Sequence, residues 1–262
     1  MMSETRRPTK AITGDSATAD SHTPIVDSDG CFVALYENVL SSDADAAASA
    51  SMMLHHLHTY IPWKVETDDF GQQSRPTYYV GDENCVFTYV GLRLEPNPWT
   101  DVLRQAREAV EIACHLPPST VTACLLNLYP PGEGFIPWHY DEVRAHGGME
   151  TMIAALSLGG PRRFQLRTRN HQPVAADADA DVGSSQETAP PVVIFDQLLP
   201  SGSLLVMKGS KTQECYEHSL PLETNNKDGN DDAPLRISLT FRSIVPGYEQ
   251  DRDMIATDKC CT

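Results

Sequence analysis

The sequence is short of positive charge and has no long apolar run. Of its 262 residues, 20 are Lys or Arg and 36 are Asp or Glu, so the formal net charge is −16. Taken alone, this balance argues against a nucleic-acid partner, because contacts with phosphates require cations. No window approaches 18 apolar residues, and the stretch MMSETRRPTKAITGDS has no apolar segment of the signal-peptide kind. We therefore expect no membrane contact and a location in the nucleus or the cytoplasm.

The cysteines lack the spacing of a disulfide framework or a zinc site. There are seven, an odd number, and no CxxC motif occurs. Reduced intracellular thiols are therefore the expected state. Nothing in the sequence points to an oligomer, and we expect a monomer.

The chain is expected to form one domain with a tail at each end. Residues 1–28 are polar and rich in Thr, Ser and Asp, which is typical of a disordered tail. The domain is expected over residues 29–247, followed by a C-terminal tail over 248–262. Within the domain, residues 171–190 and 223–234 have the composition of flexible surface insertions.

Two helices and about eight strands are expected inside this domain. Residues 41–60 are rich in helix-forming Ala, and residues 100–116 form an amphipathic helix pattern with Thr100 as its N-cap. After Leu116, short strands alternate with Pro- and Gly-rich turns, which is typical of a β-sandwich or jelly roll. The expected fold class is mainly β with flanking helices.

The stretch FIPWHYDE places His139 and Asp141 two residues apart. On a β-strand, residues i and i+2 point to the same face. A third ligand would complete a 2-His-1-carboxylate triad, which holds Fe(II) and leaves positions open for substrate and O2. His218, in a predicted strand near the end of the β region, is the best candidate. The motif alone leaves open a second interpretation, an ordinary polar pair on the surface.

Two other strands carry polar residues on one face. In RISLTFR, Arg236, Ser238 and Arg242 alternate with apolar residues. If their face looks into a barrel, the cations require an anion there, and a dicarboxylate suits because guanidinium binds carboxylates through two hydrogen bonds. A solvated edge strand is the alternative. Asn127 and Tyr129, in LLNLY, could likewise hydrogen-bond a bound acid or be ordinary core polar residues.

In this order and spacing, the motifs resemble the AlkB family of Fe(II)- and 2-oxoglutarate-dependent dioxygenases. The likeness covers roughly residues 31–245 and includes N-x-Y, H-x-D, the His before SLP, and R-x5-R inside LTFR. Upstream, IPWK, RPTYYVGD, FTYVG and EPNPW resemble the nucleic-acid-repair branch of that family, closest to the homologues that repair alkylated DNA and RNA.

The resemblance implies a double-stranded β-helix (jelly-roll) core with Fe(II) on the two histidines and the aspartate named above. It implies 2-oxoglutarate as cosubstrate, with Arg236 and Tyr129 near its distal carboxylate. Arg242 and Asn127 would lie near the end that chelates iron. Ser238 stands where the family usually has Asn, so one hydrogen bond to the cosubstrate is expected to be weaker.

The implied reaction is oxidative demethylation of bases of the 1-methyladenine and 3-methylcytosine type in DNA or RNA. O2 and 2-oxoglutarate give succinate and CO2, and the hydroxylated N-methyl group leaves as formaldehyde. The target base must leave any stack to reach the metal. The expected partner is therefore alkylated DNA or RNA, with single strands preferred.

Residues 61–91 are expected to form a nucleotide-recognition lid. Tyr89 is the candidate for stacking on or bordering the base, and packing within an alternating strand is the alternative. Arg75 and Arg162 are candidates for contact with the nucleic-acid backbone or a base. The family usually has an acidic residue four positions after the first histidine; here the acidic residue is Glu142, one position earlier.

Two other classes of function stay open at this point. The acidic net charge and the shifted acidic residue are compatible with an oxygenase of the same chemistry acting on a protein or a small molecule. A β-barrel binding module that has lost turnover is the third class, although the intact triad and both arginines argue against it. A salt-dependent interaction with a single-stranded oligonucleotide would separate the first two classes.

Overall fold

The structure is a computed structural model that describes residues 22–40, 46–141, 152–169, 190–209, 211–223 and 234–246. Three helices and fifteen strands lie within these ranges. In chain order they are β1 His22–Ser28, β2 Cys31–Tyr36, α1 Ala46–Tyr60, β3 Thr67–Asp68, β4 Gly71–Gln72, β5 Thr77–Gly81, β6 Phe87–Tyr89, β7 Leu92–Leu94, α2 Asp101–Ala113, β8 Ala123–Tyr129, β9 Ile136–His139, β10 Met152–Gly159, β11 Arg162–Thr168, β12 Val193–Leu199, β13 Leu204–Lys208, α3 Thr212–Cys215, β14 Tyr216–Leu220 and β15 Arg236–Arg242.

Two antiparallel sheets form the body of the domain. The large sheet has the order β1-β2-β13-β10-β15-β8-β5, and the small sheet has the order β12-β11-β14-β9. Residues of both sheets pack in one core cluster, in which Tyr129 and Ile153 of the large sheet meet Phe164 and Leu166 of the small sheet. This is the expected jelly-roll core, mainly β with flanking helices, and the predicted fold class is confirmed.

The two long helices cover the other face of the large sheet. Leu57 of α1 and Leu103 of α2 belong to a second cluster with Leu126 of β8 and Phe241 of β15. The Thr100 side chain accepts a hydrogen bond from the backbone N–H of Leu103 at 3.3 Å, so the predicted N-cap of α2 is present. Helices cover one face of β8. On the other face Tyr129 packs against the small sheet, and Ala123 and Leu125 pack against Tyr79 and Phe87, so all seven residues of β8 are buried.

Alternation along β15 sorts its side chains between these two cores. Ile237, Leu239 and Phe241 belong to the cluster on the helix side. Arg236 and Arg242 therefore face the small sheet. In register, Arg236 lies opposite Tyr129 and Ser238 lies opposite Asn127. The polar face predicted from RISLTFR is thus buried inside the jelly roll, and the alternative of a solvated edge strand is wrong.

Two sequence-based expectations require correction. Residues 22–28, assigned to the disordered tail 1–28, form β1, which pairs with β2 and buries Val26. The sequence did not reveal this strand because most of its residues are polar and exposed. Its pairing with β2, which positions it, cannot be read from composition. The strand predicted around His218, in the stretch ECYEHSL, begins within helix α3 and continues as β14.

The remaining predicted tails and insertions lie outside the part of the chain that the structure describes. These are residues 1–21, 171–189, 224–233 and 248–262. Within the described residues, no helix is long and apolar enough to span a membrane.

Candidate active site

His139, Asp141 and His218 meet at one end of the small sheet. Pairing of β14 with β9 sets His218 directly opposite His139, and their ring centroids are 4.1 Å apart. Asp141 follows two residues after His139, beyond the strand end. One ligand atom from each residue lies within 4.8 Å of the others, which suits a single metal ion. Two imidazoles and one carboxylate are a donor set for Fe(II).

Both imidazoles are held in the neutral form that ligates metals. The Nδ1 atom of His139 lies 2.9 Å from the carbonyl oxygen of Pro137. Since a carbonyl only accepts, Nδ1 carries the hydrogen and Nε2 keeps its lone pair. Burial lowers the pKa of His139, and burial together with the neighbouring His139 lowers the pKa of His218 to about 3. No proton competes with the metal at neutral pH.

Asp141 is oriented by two residues that are remote in the sequence. Its Oδ1 atom accepts a hydrogen bond from Nη2 of Arg242 at 3.0 Å. Its backbone N–H donates to Oε1 of Gln213 at 2.9 Å, and Gln213 is buried in α3. These contacts fix the carboxylate beside the two histidines, as outer residues commonly do at metal sites.

The arginines of β15 present charged donors that have no partner in the described part of the chain. Buried side-chain polar atoms without a hydrogen bond there number six, and five of them belong to Arg162, Arg236 and Arg242. Native proteins pair nearly all such groups, so a cluster of unpaired cationic donors indicates a site for an anion.

Arg236 is the most deeply buried of these cations. It is 2% exposed, and its Nη2 atom donates to Ser157 Oγ at 2.9 Å, while Nε and Nη1 have no partner among the described residues. Its guanidinium carbon lies 5.4 Å from the centroid of the Tyr129 ring. Burial lowers the pKa of Arg236 to about 10, so the guanidinium remains charged at neutral pH.

The other predicted cosubstrate residues share the same inner face. Arg242 is 6% exposed and contacts Asp141, which joins this face to the metal ligands. Ser238 is buried opposite Asn127, and Asn127 accepts a hydrogen bond from Nε of Arg75 at 2.7 Å. A face with cations at two levels, one of them in contact with Asp141, fits a dicarboxylate.

The predicted lid lies beside the metal ligands. The guanidinium carbon of Arg242 lies 4.8 Å from the centroid of Phe87, and Tyr89 stacks on Phe87 with centroids 5.1 Å apart. The Tyr89 hydroxyl accepts a hydrogen bond from Nε2 of Gln73 at 3.0 Å. Phe87 thus connects the predicted lid to Asp141 through Arg242, and Tyr89 lies one contact further out, against Phe87.

The two arginines predicted to contact nucleic acid occupy different settings. Arg75 is half-buried and bonded to Asn127, so it belongs to the wall of the site. Arg162 is 3% exposed and donates to the carbonyls of Glu133 and Gly134. Its strand position turns Arg162 into the core, so this burial gives no support to the predicted contact with nucleic acid, which stays a prediction. Glu142 lies outside the described residues.

Two residues of interest were missed in the sequence. Gln213 gave no signal, because its contact with Asp141 spans 72 positions and depends on the register of two strands. Phe70 lies at the tip of the hairpin β3–β4 and is 83% exposed. Its neighbour Gly71, with φ of +119°, was the available clue to a tight turn with an aromatic tip.

Comparison with known proteins assigns the site to a family. The sequence model of the 2OG-Fe(II) oxygenase superfamily matches residues 32–242. The chain belongs to this superfamily. Its members are dioxygenases that use Fe(II), 2-oxoglutarate and O2. The two histidines and one carboxylate, with the buried cations next to them, fit the metal and the cosubstrate.

Three curated relatives resemble the chain over its central part. The DNA oxidative demethylase ALKBH2 of Bos taurus is 31% identical over 166 residues, which are 63% of this chain and 51% of that protein. The enzymes of the same name from Mus musculus and Homo sapiens are 32% identical over 168 and 167 residues, 63% of this chain in both cases and 60% and 54% of theirs. The matched part thus spans about half to three-fifths of the relatives. The predicted AlkB resemblance is confirmed.

Proposed function

We propose that the protein demethylates bases of the 1-methyladenine and 3-methylcytosine type in DNA, RNA or both. One observation carries this proposal. Two neutral histidines and one carboxylate lie next to buried arginines that keep donor atoms without a partner among the described residues, and an aromatic segment lies beside them. The relatives named DNA oxidative demethylases support a nucleic acid as substrate. Action on single strands, by a monomer, in the nucleus or the cytoplasm is part of the same proposal.

Within this proposal, His139, Asp141 and His218 hold Fe(II). When bound together with 2-oxoglutarate and O2, the iron supplies the oxidant that hydroxylates the N-alkyl carbon, after which formaldehyde leaves. The protein's own contribution is orientation: the carbonyl of Pro137 selects the tautomer of His139, and Gln213 and Arg242 hold Asp141.

The cosubstrate is assigned to the slot along β15 and β8. Arg236 and Tyr129 take its distal carboxylate, because the free Nε and Nη1 donors lie there. Arg242 and Asn127 lie at the end next to the metal. Ser238 lines the slot between the two arginines.

The lid supplies contacts to the flipped base. Tyr89 stacks on Phe87, which contacts Arg242, and we assign Tyr89 the contact with the base. Phe70 projects into solvent from a two-stranded hairpin of the same segment, where an apolar side chain has no packing role. Proteins that unstack DNA insert such apolar side chains between base steps. We assign Phe70 the task of filling the gap left by the extruded base when the substrate is a duplex.

A test of the substrate class is the rate of succinate formation with Fe(II), ascorbate and 2-oxoglutarate. An oligonucleotide carrying 1-methyladenine is expected to raise this rate well above that seen with the unmodified oligonucleotide, and added salt is expected to weaken the effect. Equal slow rates with both oligonucleotides would favour the alternative, an oxygenase of the same chemistry acting on a protein or a small molecule.

A further inference from the structure

Arg162, the first residue of β11, approaches the same aromatic ring as Arg236. The guanidinium carbons of the two residues lie 5.0 Å and 5.4 Å from the Tyr129 centroid. Both are buried, at 3% and 2% exposure. The sequence places them 74 positions apart, and they meet because β11 and β15 belong to the two facing sheets.

The Nη atoms of Arg162 are occupied by backbone carbonyls. Nη1 donates to Glu133 at 3.2 Å, and Nη2 donates to Gly134 and, at 3.3 Å, to Pro221. Nε has no partner among the described residues. The carbonyls are neutral and leave the positive charge uncompensated, while they fix the guanidinium beside Tyr129.

Two buried like charges at one ring require an anion. The carboxylate that acts electrostatically on both is Glu223, which is partly exposed and accepts a hydrogen bond from the backbone N–H of Arg163 at 2.8 Å. Its Oε1 is therefore engaged at the surface. An uncompensated buried charge is costly, so the pair, as the described residues leave it, suits a bound anionic group.

We propose that Arg162 is a second cation for the distal carboxylate of 2-oxoglutarate. The carboxylate accepts from Nε of Arg162 as well as from the free Nε and Nη1 of Arg236, next to the Tyr129 ring. The proposal rests on the cosubstrate slot assigned above and adds a binding residue from the opposite sheet. The proposal also gives a reason for the burial of Arg162, because Arg236 alone would suffice to bind one carboxylate.

The test compares two ligands on the full chain loaded with Mn(II), by calorimetry. One is 2-oxoglutarate; the other is 2-oxopentanoate, which keeps the 2-oxo acid end and has a methyl group instead of the distal carboxylate. Arg162→Gln is expected to weaken 2-oxoglutarate binding about ten- to a hundredfold, the range for a lost hydrogen bond to a charged group. Binding of 2-oxopentanoate is expected to be unchanged.

Arg163→Gln is the matched control. It removes the same charge one position along β11, where the side chain is exposed and pairs with Asp196 at 2.5 Å. Both ligands are expected to bind this variant as they bind the wild type. Arg162→Lys, which keeps the charge, is the second variant and serves if Arg162→Gln does not fold. It is expected to lose affinity for 2-oxoglutarate alone, by a smaller factor.

An equal loss for both ligands, or no loss for either, would overturn the proposal and leave Arg162 as a tie between backbone segments. The measurement involves no nucleic acid. Its failure is therefore distinguishable from the failure of the demethylation proposal, which concerns the substrate and is read from turnover.

Discussion

At the scale of single residues, the proposed metal centre depends on side chains outside the three ligand residues. Asp141 is held through its carboxylate by Arg242 and through its backbone N–H by Gln213. Gln213 is itself fixed, since its backbone carbonyl accepts from Nη1 of Arg169 at 2.9 Å. The loss of such outer contacts commonly costs more metal affinity than protein stability.

Gln213→Met removes the acceptor of the Asp141 N–H while keeping the length of the side chain. Affinity for Mn(II), measured by calorimetry, is expected to fall about tenfold. Gln213→Glu is the control, because it keeps an acceptor oxygen at the same position and is expected to bind Mn(II) at least as well as the wild type. Unchanged affinity in Gln213→Met would show that Asp141 is oriented without this contact.

Arg236→Met replaces an uncompensated buried charge by an apolar chain of similar length. Removing such a charge is expected to stabilise the ligand-free protein by about 1 to 4 kcal/mol, while the stabilisation conferred by 2-oxoglutarate disappears. Thermal unfolding with and without 2-oxoglutarate measures both effects. A variant that is less stable than the wild type and still responds to 2-oxoglutarate would make Arg236 a structural residue.

At the scale of elements, the strand that carries His139 is an edge strand. β9 pairs only with β14 among the described residues, and the register shifts between His218 and Leu220. Trp138 and Tyr140, on either side of His139, are each stacked against an arginine. The guanidinium carbon of Arg167 lies 4.2 Å from the centroid of the Trp138 ring, and that of Arg169 lies 3.8 Å from the centroid of the Tyr140 ring. These stacks substitute for a second neighbouring strand.

The hairpin β3–β4 presents Phe70 away from the domain. Phe70→Ala is expected to reduce turnover of a methylated base in duplex DNA on the order of tenfold, because the gap left by the flipped base is no longer filled. Turnover on a single strand is expected to be nearly unchanged. Parallel rate measurements on the two substrates check this, with Phe70→Trp as an aromatic control. Equal rates of the Ala variant and the wild type on duplex would contradict the assignment.

At the scale of the whole molecule, the net charge and the charge of the site have opposite signs. The chain carries a formal charge of −16, whereas the slot gathers three buried arginines. Composition therefore says little about the ligand, since cations inside the jelly roll are hidden among many surface carboxylates. The local arrangement of charge decides which anion binds.

Sequence patterns predicted the elements better than the contacts between them. Alternation located β8 and β15, and a capping residue located the start of α2 at Thr100. The burial of Arg162 could not be predicted, because an arginine in a strand is usually exposed and its carbonyl partners lie 28 or more positions away. Strand β1 was missed because a polar strand is recognisable only through its partner.

Alkaline pH tests the core independently of the metal. Burial raises the pKa of the Cys31 thiol and of the Cys114 thiol to about 11, from an ordinary value of 9.0. Between these values the unfolded chain releases protons that the folded protein keeps. The contribution of these thiols to the free energy of unfolding is therefore fully present below pH 9 and is lost as pH rises toward 11. Urea unfolding across this range measures the loss, and Cys114→Ala is expected to make it shallower; an identical slope would place the titrating groups elsewhere.

The most direct test of the account is formaldehyde release from a single-stranded DNA oligonucleotide carrying 1-methyladenine, with Fe(II), ascorbate and 2-oxoglutarate. The wild type is expected to release formaldehyde in proportion to the succinate formed, and Asp141→Ala is expected to release none, because the metal loses its carboxylate ligand. Release by Asp141→Ala at the wild-type rate would contradict the assigned centre. Succinate without formaldehyde from the wild type would contradict the proposed substrate.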